Sequence, residues 1–334
     1  MKRFIKHIIY IVLPFIIIAI IVQFFDFFKV YKSYNNYFKD NRISINRTVA
    51  ATKTFLKYKD SIYYNTFVFG NSRAQAFKDY ALIKHFGEST KPFHFDSNNE
   101  SLYGIYKKLE FLSLQKANLK NIIIVLDASL LEVAKARNTF NYINPPVFND
   151  VSKLKYYSEF IKTSCQPKFI AAVADFSIFK TKRGYIKKYI LTDKHIDTYK
   201  PISLDCSYGN EIELKKDSVL YYKKVISKIK NRASYRKEIP NPTRTHLDIL
   251  HKIKRILKKH NSNYTIIISP LYDQAELNNN WKKELNLIFT TKHVFNFSGK
   301  NKYTEPINNY YEWSHYKPFV AEKLLDSIHK KRAN

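Results

Sequence analysis

The stretch Thr66-Phe-Val-Phe-Gly-Asn-Ser-Arg-Ala-Gln-Ala76 joins a short β-rich run to a turn and then to a helical pattern. Such a run, bounded by turn residues, predicts a buried strand. Gly70 permits a tight turn directly after that strand. Ser72 would therefore stand between the end of a strand and the N-terminus of a helix, which we expect to cover Arg73–His85.

Comparable short apolar runs recur along the rest of the chain. Continuous apolar strands that alternate with helical patterns are typical of a parallel sheet covered on both faces. We therefore predict an α/β fold with a mostly parallel, five-stranded sheet. The predicted strands are Thr66–Phe69, Phe93–Phe95, Asn121–Leu126, Tyr264–Ser269 and His293–Phe297, with helices over Arg73–His85, Leu102–Lys116, Leu247–His260 and Pro318–Lys330.

The N-terminal segment Ile8–Phe25 is almost entirely apolar. Eighteen residues at a rise of about 1.5 Å each extend roughly 27 Å, close to the thickness of a bilayer core. A buried soluble helix is one alternative. A cleavable signal peptide is another, although Gln23-Phe-Phe-Asp-Phe-Phe28 lacks the small residues of a cleavage site. We predict a cytoplasmic tail and transmembrane anchor over 1–28, a juxtamembrane stalk over 29–60, and an α/β domain over 61–330 with a helical insertion over about 131–242.

The chain of 334 residues is strongly basic, with 57 Lys and Arg against 28 Asp and Glu, a formal charge of +29. Clustered cations would suggest nucleic-acid binding through counterion release. The lysines are instead spread along the whole chain, which favours solvated basic faces attracted to anionic lipid or polymer. We therefore expect no nucleic-acid partner.

Two cysteines, Cys165 and Cys206, exclude a disulfide-rich scaffold and a four-cysteine zinc site. One bridge and two free thiols agree equally well with the sequence. The charges that flank the apolar segment do not fix its orientation, because Lys and Arg lie on both sides of it. A short basic tail inside and a large domain outside is the commoner arrangement, and we expect it here.

Two segments contain candidate catalytic residues. Ser72 could be a nucleophile, although Asn-Ser is also an ordinary helix N-cap pair. In Asn309-Tyr-Tyr-Glu-Trp-Ser-His-Tyr-Lys-Pro318, Glu312 and His315 are three residues apart in a predicted loop. A serine nucleophile needs a base within hydrogen-bond reach and a carboxylate that fixes the tautomer of that base. Taken alone, His315 also reads as a surface loop histidine.

The order of these two segments resembles the SGNH (GDSL-like) hydrolase and acyltransferase family. Gly70-Asn-Ser-Arg73 is similar to the first block of the family, with Asn71 in place of the usual Asp. Glu312-Trp-Ser-His315 is similar to its last block, with Glu in place of Asp. The wider Asn309–Pro318 segment resembles membrane-anchored members associated with cell-envelope polysaccharides.

The resemblance implies a flavodoxin-like three-layer α/β/α fold without metal or organic cofactor. It implies Ser72 as nucleophile, His315 as general base and Glu312 as the residue that orients His315. The family's second block usually offers a Gly, whereas Phe95-Asp-Ser-Asn-Asn-Glu-Ser101 leaves Asn98 or Asn99 as oxyanion donors. The predicted oxyanion and substrate-binding residues are Gly70, Asn71, Arg73, Asn98 and Asn99.

The function implied is that of a membrane-anchored, extracytoplasmic serine esterase or O-acyltransferase acting on acyl esters of cell-envelope glycans. The expected partners are membrane lipid, a glycan substrate and a membrane-bound acyltransferase. The family's third block, Gly-x-Asn-Asp, is absent from Val125-Leu-Asp-Ala-Ser-Leu130. That departure motivates an alternative, a catalytically inactive glycan-binding or assembly subunit of an envelope polymer system.

Overall fold

A five-stranded, all-parallel sheet forms the centre of the protein. The computed structural model describes residues 2–39, 43–181, 183–186, 190, 199–228, 232 and 239–333. Strand order along the sheet is β2-β1-β3-β4-β5, and all four strand pairings are parallel. This is the 2-1-3-4-5 order of doubly wound, flavodoxin-like sheets. The strands are β1 Thr66–Phe69, β2 Pro92–His94, β3 Asn121–Leu126, β4 Asn263–Ile268 and β5 Val294–Asn296.

Helices cover both faces of the sheet, which confirms the three-layer α/β prediction. In β3 the side chains of Ile122 and Ile124 enter one core cluster, and those of Ile123 and Val125 enter the other. This alternation is the period of two expected for a strand buried on both faces. The described helices are α1 Lys2–Phe25, α2 Arg47–Ile62, α3 Asp79–Phe86, α4 Leu102–Leu114, α5 Ala128–Leu131, α6 Lys153–Ser164, α7 Pro167–Phe179, α8 Gly209–Lys216, α9 Ser218–Lys228, α10 Arg244–Lys259, α11 Asn279–Phe289 and α12 Pro318–Ala333.

The predicted helix over Arg73–His85 is wrong in its first half. A 3₁₀ turn covers Ser72–Ala76, and α3 begins only at Asp79. The carboxylate of Asp79 accepts hydrogen bonds from Ser203 (2.7 Å) and Lys200 (3.0 Å). These long-range bonds fix the beginning of α3, and they are invisible to local periodicity.

The topological switch point of the sheet lies between β1 and β3, where the strand order reverses. Gly70 follows β1 with a φ of +145°, and a Cβ built on it would lie 2.7 Å from the carbonyl oxygen of Val125. Only glycine permits this approach of the two strand ends. Ligands of open α/β sheets bind at such topological switch points. Gly70 therefore places the segment that follows it where a ligand-binding site is expected.

The N-terminal segment forms the helix α1, most of whose described apolar side chains, such as Phe4, Ile9 and Ile20, are exposed. Among the described residues, no helix has both the length and the apolarity needed to cross a bilayer. The predicted transmembrane span is therefore not confirmed.

The segment predicted as a stalk packs against the α/β domain. Helix α2 buries Ala50, Ala51 and Phe55 in the core on one face of the sheet. Its first residue, Arg47, is fully buried and forms two 2.8 Å hydrogen bonds with Asp96, which follows β2. Residues 47–62 thus form one of the covering helices, because their apolar side chains are needed to bury the sheet.

The turn after α1 is fixed by the buried carboxylate of Asp26. Its oxygens accept the backbone N–H groups of Val30, Tyr31 and Lys32 at 2.7–3.2 Å. Phe28 follows in the same turn and packs in a third core cluster that includes side chains of the helical insertion. The chain leaving α1 is therefore joined to the insertion by a packed turn.

The insertion between β3 and β4 contains helices α6 to α9. Both cysteines fall in this part of the chain, and both are free thiols. Cys206 is buried, and burial raises the pKa of its thiol. The open question of a Cys165–Cys206 bridge is therefore answered in favour of two thiols in this structure.

Candidate active site

Ser72 and His315 meet at the carboxyl end of the sheet. The Oγ of Ser72 lies 2.8 Å from the Nε2 of His315, within hydrogen-bond distance. The two residues are 243 positions apart in the sequence. Ser72 follows β1 directly, and His315 lies in the loop between β5 and α12. The fold thus brings together the predicted nucleophile and the predicted base.

Glu312 lies on the opposite side of the imidazole. Its Oε1 forms a short hydrogen bond with the Nδ1 of His315. Its Oε2 accepts the backbone N–H of Ser314 at 2.9 Å, so both carboxylate oxygens have fixed partners. A carboxylate on Nδ1 keeps the proton on that nitrogen and leaves Nε2 free to accept the serine proton.

The loop that carries Glu312 and His315 closes on itself. Tyr310 and Tyr316 form an isolated antiparallel bridge. The backbone N–H of Tyr311 donates to the carbonyl of His315 at 2.8 Å, within the same loop. Pro318 then begins α12 and ends the loop. These bonds hold the acid and the base on one narrow turn, as their spacing of three residues predicts.

Asn71 fixes the backbone around Ser72. Its Oδ1 accepts the N–H of Arg73 at 3.0 Å, and its Nδ2 donates to Asp127 at 2.6 Å and to Ser129 at 3.2 Å. Because the amide of Asn71 is fully engaged, it serves to position the turn and is a poor oxyanion donor. Within the described part of the chain, no acceptor is paired with the backbone N–H of Ser72.

The expected helix N-terminus at Ser72 is a five-residue 3₁₀ turn. Such a short element has few aligned peptides and provides little dipole. Stabilisation of a developing oxyanion would then depend on individual donors, of which the N–H of Ser72 is one.

Arg73 links the turn at Ser72 to the loop that carries Glu312 and His315. Its guanidinium donates to the carbonyl of Ser314 at 2.8 Å, to the Oγ of Ser314 at 3.1 Å and to the carboxylate of Asp127 at 2.9 Å. Burial would lower the pKa of Arg73, but the charge and hydrogen bond of Asp127, together with nearby tyrosines, raise this pKa. Burial would raise the pKa of Asp127, but the charge of Arg73 and hydrogen bonds from Ser129, Asn71 and a backbone N–H lower it. Arg73 thus has a structural role, and because it also lines the cleft beside Ser72, its predicted substrate-binding role stays a prediction.

Loss of this ion pair should affect both stability and activity. Because Asp127 is fully buried, we expect Arg73→Met to lower the free energy of unfolding by about 3 kcal/mol. Activity should fall by roughly 10–10³-fold, because the carbonyl of Ser314 loses its tether near His315. Urea unfolding and steady-state kinetics would measure the two effects separately.

The double variant Arg73→Met/Asp127→Asn separates charge burial from loop positioning. Stability should recover by about 1–2 kcal/mol relative to Arg73→Met, because the unpaired buried charge is gone. Activity should stay low, since the tether to Ser314 is still missing. Wild-type activity in either variant would contradict the positioning role.

A cleft of about 270 Å³ opens beside Ser72. The half-exposed indole of Trp313 and the side chain of Leu271 give it apolar surface, and Asn99 adds an exposed amide. Asn98 lies in the same loop but lines a separate, smaller pocket. Of the two predicted donors, only Asn99 borders the cleft that contains the nucleophile. The described residues that line the cleft are Asn71, Ser72, Arg73, Asn99, Ala128, Ser129, Leu271, Asp273, Trp313 and Ser314.

Sequence reasoning missed Asp127, the buried partner of both Asn71 and Arg73. The family's third block is absent from the segment after β3, and that absence alone does not point to Asp127. Its position carried a usable signal, because an acidic residue directly after a fully apolar strand lies at the same sheet edge as Ser72. No comparable local signal marks Tyr208, whose hydroxyl donates to the carbonyl of Ser72.

One cluster in the described residues has ligand atoms close enough for a metal ion: Asp79, His94 and Asp205, within 4.8 Å of one another. Two ammonium groups already occupy it. Lys200 lies 3.0 Å from Asp79, and Lys78 lies 3.4 Å from Asp205. Because the lysines neutralise both carboxylates, this buried cluster is better explained as an ion-pair network than as a metal centre.

The network makes stability depend on pH. Burial would raise the pKa of Asp79, but hydrogen bonds and charge from His94, and hydrogen bonds from Ser203 and Lys200, lower it from 3.8 to about 2. The folded state therefore takes up this proton at a lower pH than the unfolded state, and the stabilisation is present above about pH 4 and lost towards about pH 2.

We expect the wild-type free energy of unfolding to fall by about 2 kcal/mol more than that of Asp79→Asn between about pH 4 and pH 2. Urea unfolding at several pH values would measure the difference. Parallel acid limbs for the two proteins would contradict the assignment.

No protein-family model matches this chain, and no curated protein is significantly similar to it. The function is therefore inferred from the site itself and from the motif resemblance.

Proposed function

We propose that this protein is an SGNH-like serine esterase or O-acyltransferase acting on acyl esters of cell-envelope glycans. The observation that carries the proposal is the 2.8 Å contact between Ser72 Oγ and His315 Nε2, with Glu312 on the other ring nitrogen. A hydroxyl, an imidazole and a carboxylate in this chain of hydrogen bonds are the arrangement that activates a serine nucleophile.

In the proposed acylation step, the Oγ of Ser72 attacks the carbonyl carbon of the ester while its proton passes to Nε2 of His315. The carbonyl electron pair moves onto the oxygen, where the backbone N–H of Ser72 can donate to it. When the C=O bond re-forms, the alcohol leaves with the proton from His315. Glu312 stabilises the imidazolium during both transfers.

Deacylation repeats these steps with a second hydroxyl compound. Nε2 of His315 removes a proton from water or from a sugar hydroxyl, whose oxygen attacks the acyl carbon. Collapse of the intermediate breaks the bond to Ser72 Oγ and returns the proton to it. Water gives net hydrolysis, and a sugar hydroxyl gives net O-acyl transfer.

The size and lining of the cleft favour a substrate in which a small acyl group is joined to a glycan. Its volume of about 270 Å³ is too small for a long acyl chain lying within it. Trp313 presents a half-exposed ring beside the nucleophile, and aromatic rings of this kind provide flat apolar surface with a polar edge. A sugar ring fits such a surface, and the substrate class itself is proposed from the motif resemblance.

The cellular location forms a separate part of the proposal. We place the enzyme outside the cytoplasm, in contact with membrane lipid through α1 and close to a membrane-bound acyltransferase that would supply the acyl group. The exposed side chains of Phe4, Ile9 and Phe24 on α1 favour contact with an apolar phase. Salt and carbonate extraction of membranes would measure this association.

A serine-directed fluorophosphonate probe tests the catalytic proposal. The full chain in detergent should be used, because Phe28 and Val30 are buried and a truncated fragment would lose them. We expect mass spectrometry to find the probe on Ser72, with no labelling of Ser72→Ala and full labelling of the exposed-serine control Ser89→Ala. Folded protein that neither labels nor releases acyl groups would favour a non-catalytic glycan-binding or assembly subunit.

A further inference from the structure

Tyr208 of the helical insertion contacts both the nucleophile and the base. Its hydroxyl donates a hydrogen bond to the backbone carbonyl of Ser72. Its ring centroid lies 4.7 Å from that of His315, with the two planes tilted by 45°. The residue stands at the N-terminus of α8, 136 positions after Ser72. A side chain from outside the core α/β repeat thus reaches the centre of the candidate active site.

These contacts restrict the two reacting groups in different ways. The bond to the carbonyl of Ser72 limits rotation of the peptide between Ser72 and Arg73, whose N–H is held by Asn71. The ring lies against the His315 imidazole in a tilted arrangement and limits its rotation away from Ser72. Burial raises the pKa of Tyr208 well above its ordinary value of 10, so the phenol keeps the proton that it donates.

The position of Tyr208 is itself fixed by the chain that precedes it. The carbonyl of Leu204 accepts from Arg47 at 3.0 Å, and the carbonyl of Ser203 accepts from the N–H of His94 at 2.8 Å. These bonds fasten the insertion to α2 and β2 within five residues of Tyr208. The tyrosine therefore comes from a well-anchored segment, and its contacts can impose geometry on the site.

We propose that Tyr208 is a positioning residue, through which the helical insertion completes the active site. The inference rests on the proposed acyl-transfer function. The hydroxyl holds the backbone of Ser72, and the ring holds the imidazole of His315 in line with Ser72 Oγ. Reaction geometry, rather than substrate affinity, then depends on this residue, because Tyr208 is not among the described residues that line the cleft.

Two variants separate the hydroxyl from the ring. We expect Tyr208→Phe, which keeps the ring, to lower kcat for an aryl acetate about 5–20-fold. Tyr208→Ala should lower kcat about 10²-fold or more, and KM should change less than threefold in both.

Tyr222→Phe is the matched control. This tyrosine also belongs to the insertion, and its hydroxyl bonds to Lys317, so the change tests loss of a phenol elsewhere in the same region. Its kinetics should equal those of the wild type, and circular dichroism should be the same for all variants. Wild-type kcat in folded Tyr208→Ala, or equal loss in the control, would overturn the inference. Failure of the proposed function is distinct, since wild type and Ser72→Ala would then be equally active or equally inert.

Discussion

Ser72→Ala is expected to lower kcat for acyl-ester hydrolysis by roughly 10⁴–10⁶-fold, the largest effect of any single change in this protein. In the proposed mechanism, the variant loses the atom that forms the covalent acyl intermediate, while the groups around it remain in place. Binding of substrate should change little, because the hydroxyl is a small part of a cleft of about 270 Å³. The residual rate reports oxyanion stabilisation and binding alone.

Rapid-quench kinetics with an activated ester would detect the acyl-enzyme directly. The wild type should release a burst of alcohol equivalent to the enzyme concentration whenever deacylation is slower than acylation. The mass of the trapped protein should increase by one acyl group located on Ser72. Wild-type turnover by Ser72→Ala would show that another residue or a contaminating enzyme performs the reaction.

Glu312→Gln is expected to lower kcat by roughly 10³–10⁴-fold without unfolding the loop. The amide oxygen of Gln can still accept the N–H of Ser314, which Glu312 bonds at 2.9 Å. The amide NH₂ then faces Nδ1 of His315 as a donor. This favours the tautomer with its proton on Nε2, so the nitrogen that faces Ser72 can no longer accept a proton.

Glu312→Asp provides the conservative comparison for that change. A carboxylate remains, so the correct tautomer is still favoured, but the shorter side chain lengthens the bond to Nδ1. We expect a loss of only about 10–10²-fold, an order of magnitude or more milder than for Gln. Steady-state kcat across the pH range would measure both variants, and a loss below tenfold for Glu312→Gln would contradict the triad assignment.

Local sequence signals were sufficient to predict the sheet. β1 and β3 begin and end at the predicted residues. A strand buried on both faces, such as Asn121–Leu126, has a continuous apolar run that can be recognised from the local sequence alone. The same reasoning did not single out α11, Asn279–Phe289, and it merged the 3₁₀ turn after Ser72 with α3. In the latter case bonds from Ser203 and Lys200, far away in the chain, determine where the helix begins.

The residues of the candidate site also fall into two groups, those that local patterns identify and those whose roles only the fold reveals. Ser72, Glu312 and His315 could be found because each lies in a short segment with a recognisable pattern. Asp127 has a positional signal directly after β3, but its partners Asn71 and Arg73 become apparent only in the fold. Tyr208 has no such signal, because its role arises only when the fold brings distant segments together. Arg73 could be found from its place beside Ser72, but its bonds to Ser314 could not be predicted, since they span 241 positions.

The packed turn around Asp26 and Phe28 fixes the end of α1 against the helical insertion of the α/β domain. If α1 lies against lipid as proposed, the opening beside Ser72 faces a constant direction at a constant height above the bilayer. The proposed enzyme, held in this way, would not reach sugars that lie at other heights above the bilayer. A growing polymer would have to move past the fixed site. The spacing of modified sugars along the polymer would then depend on how the polymer moves.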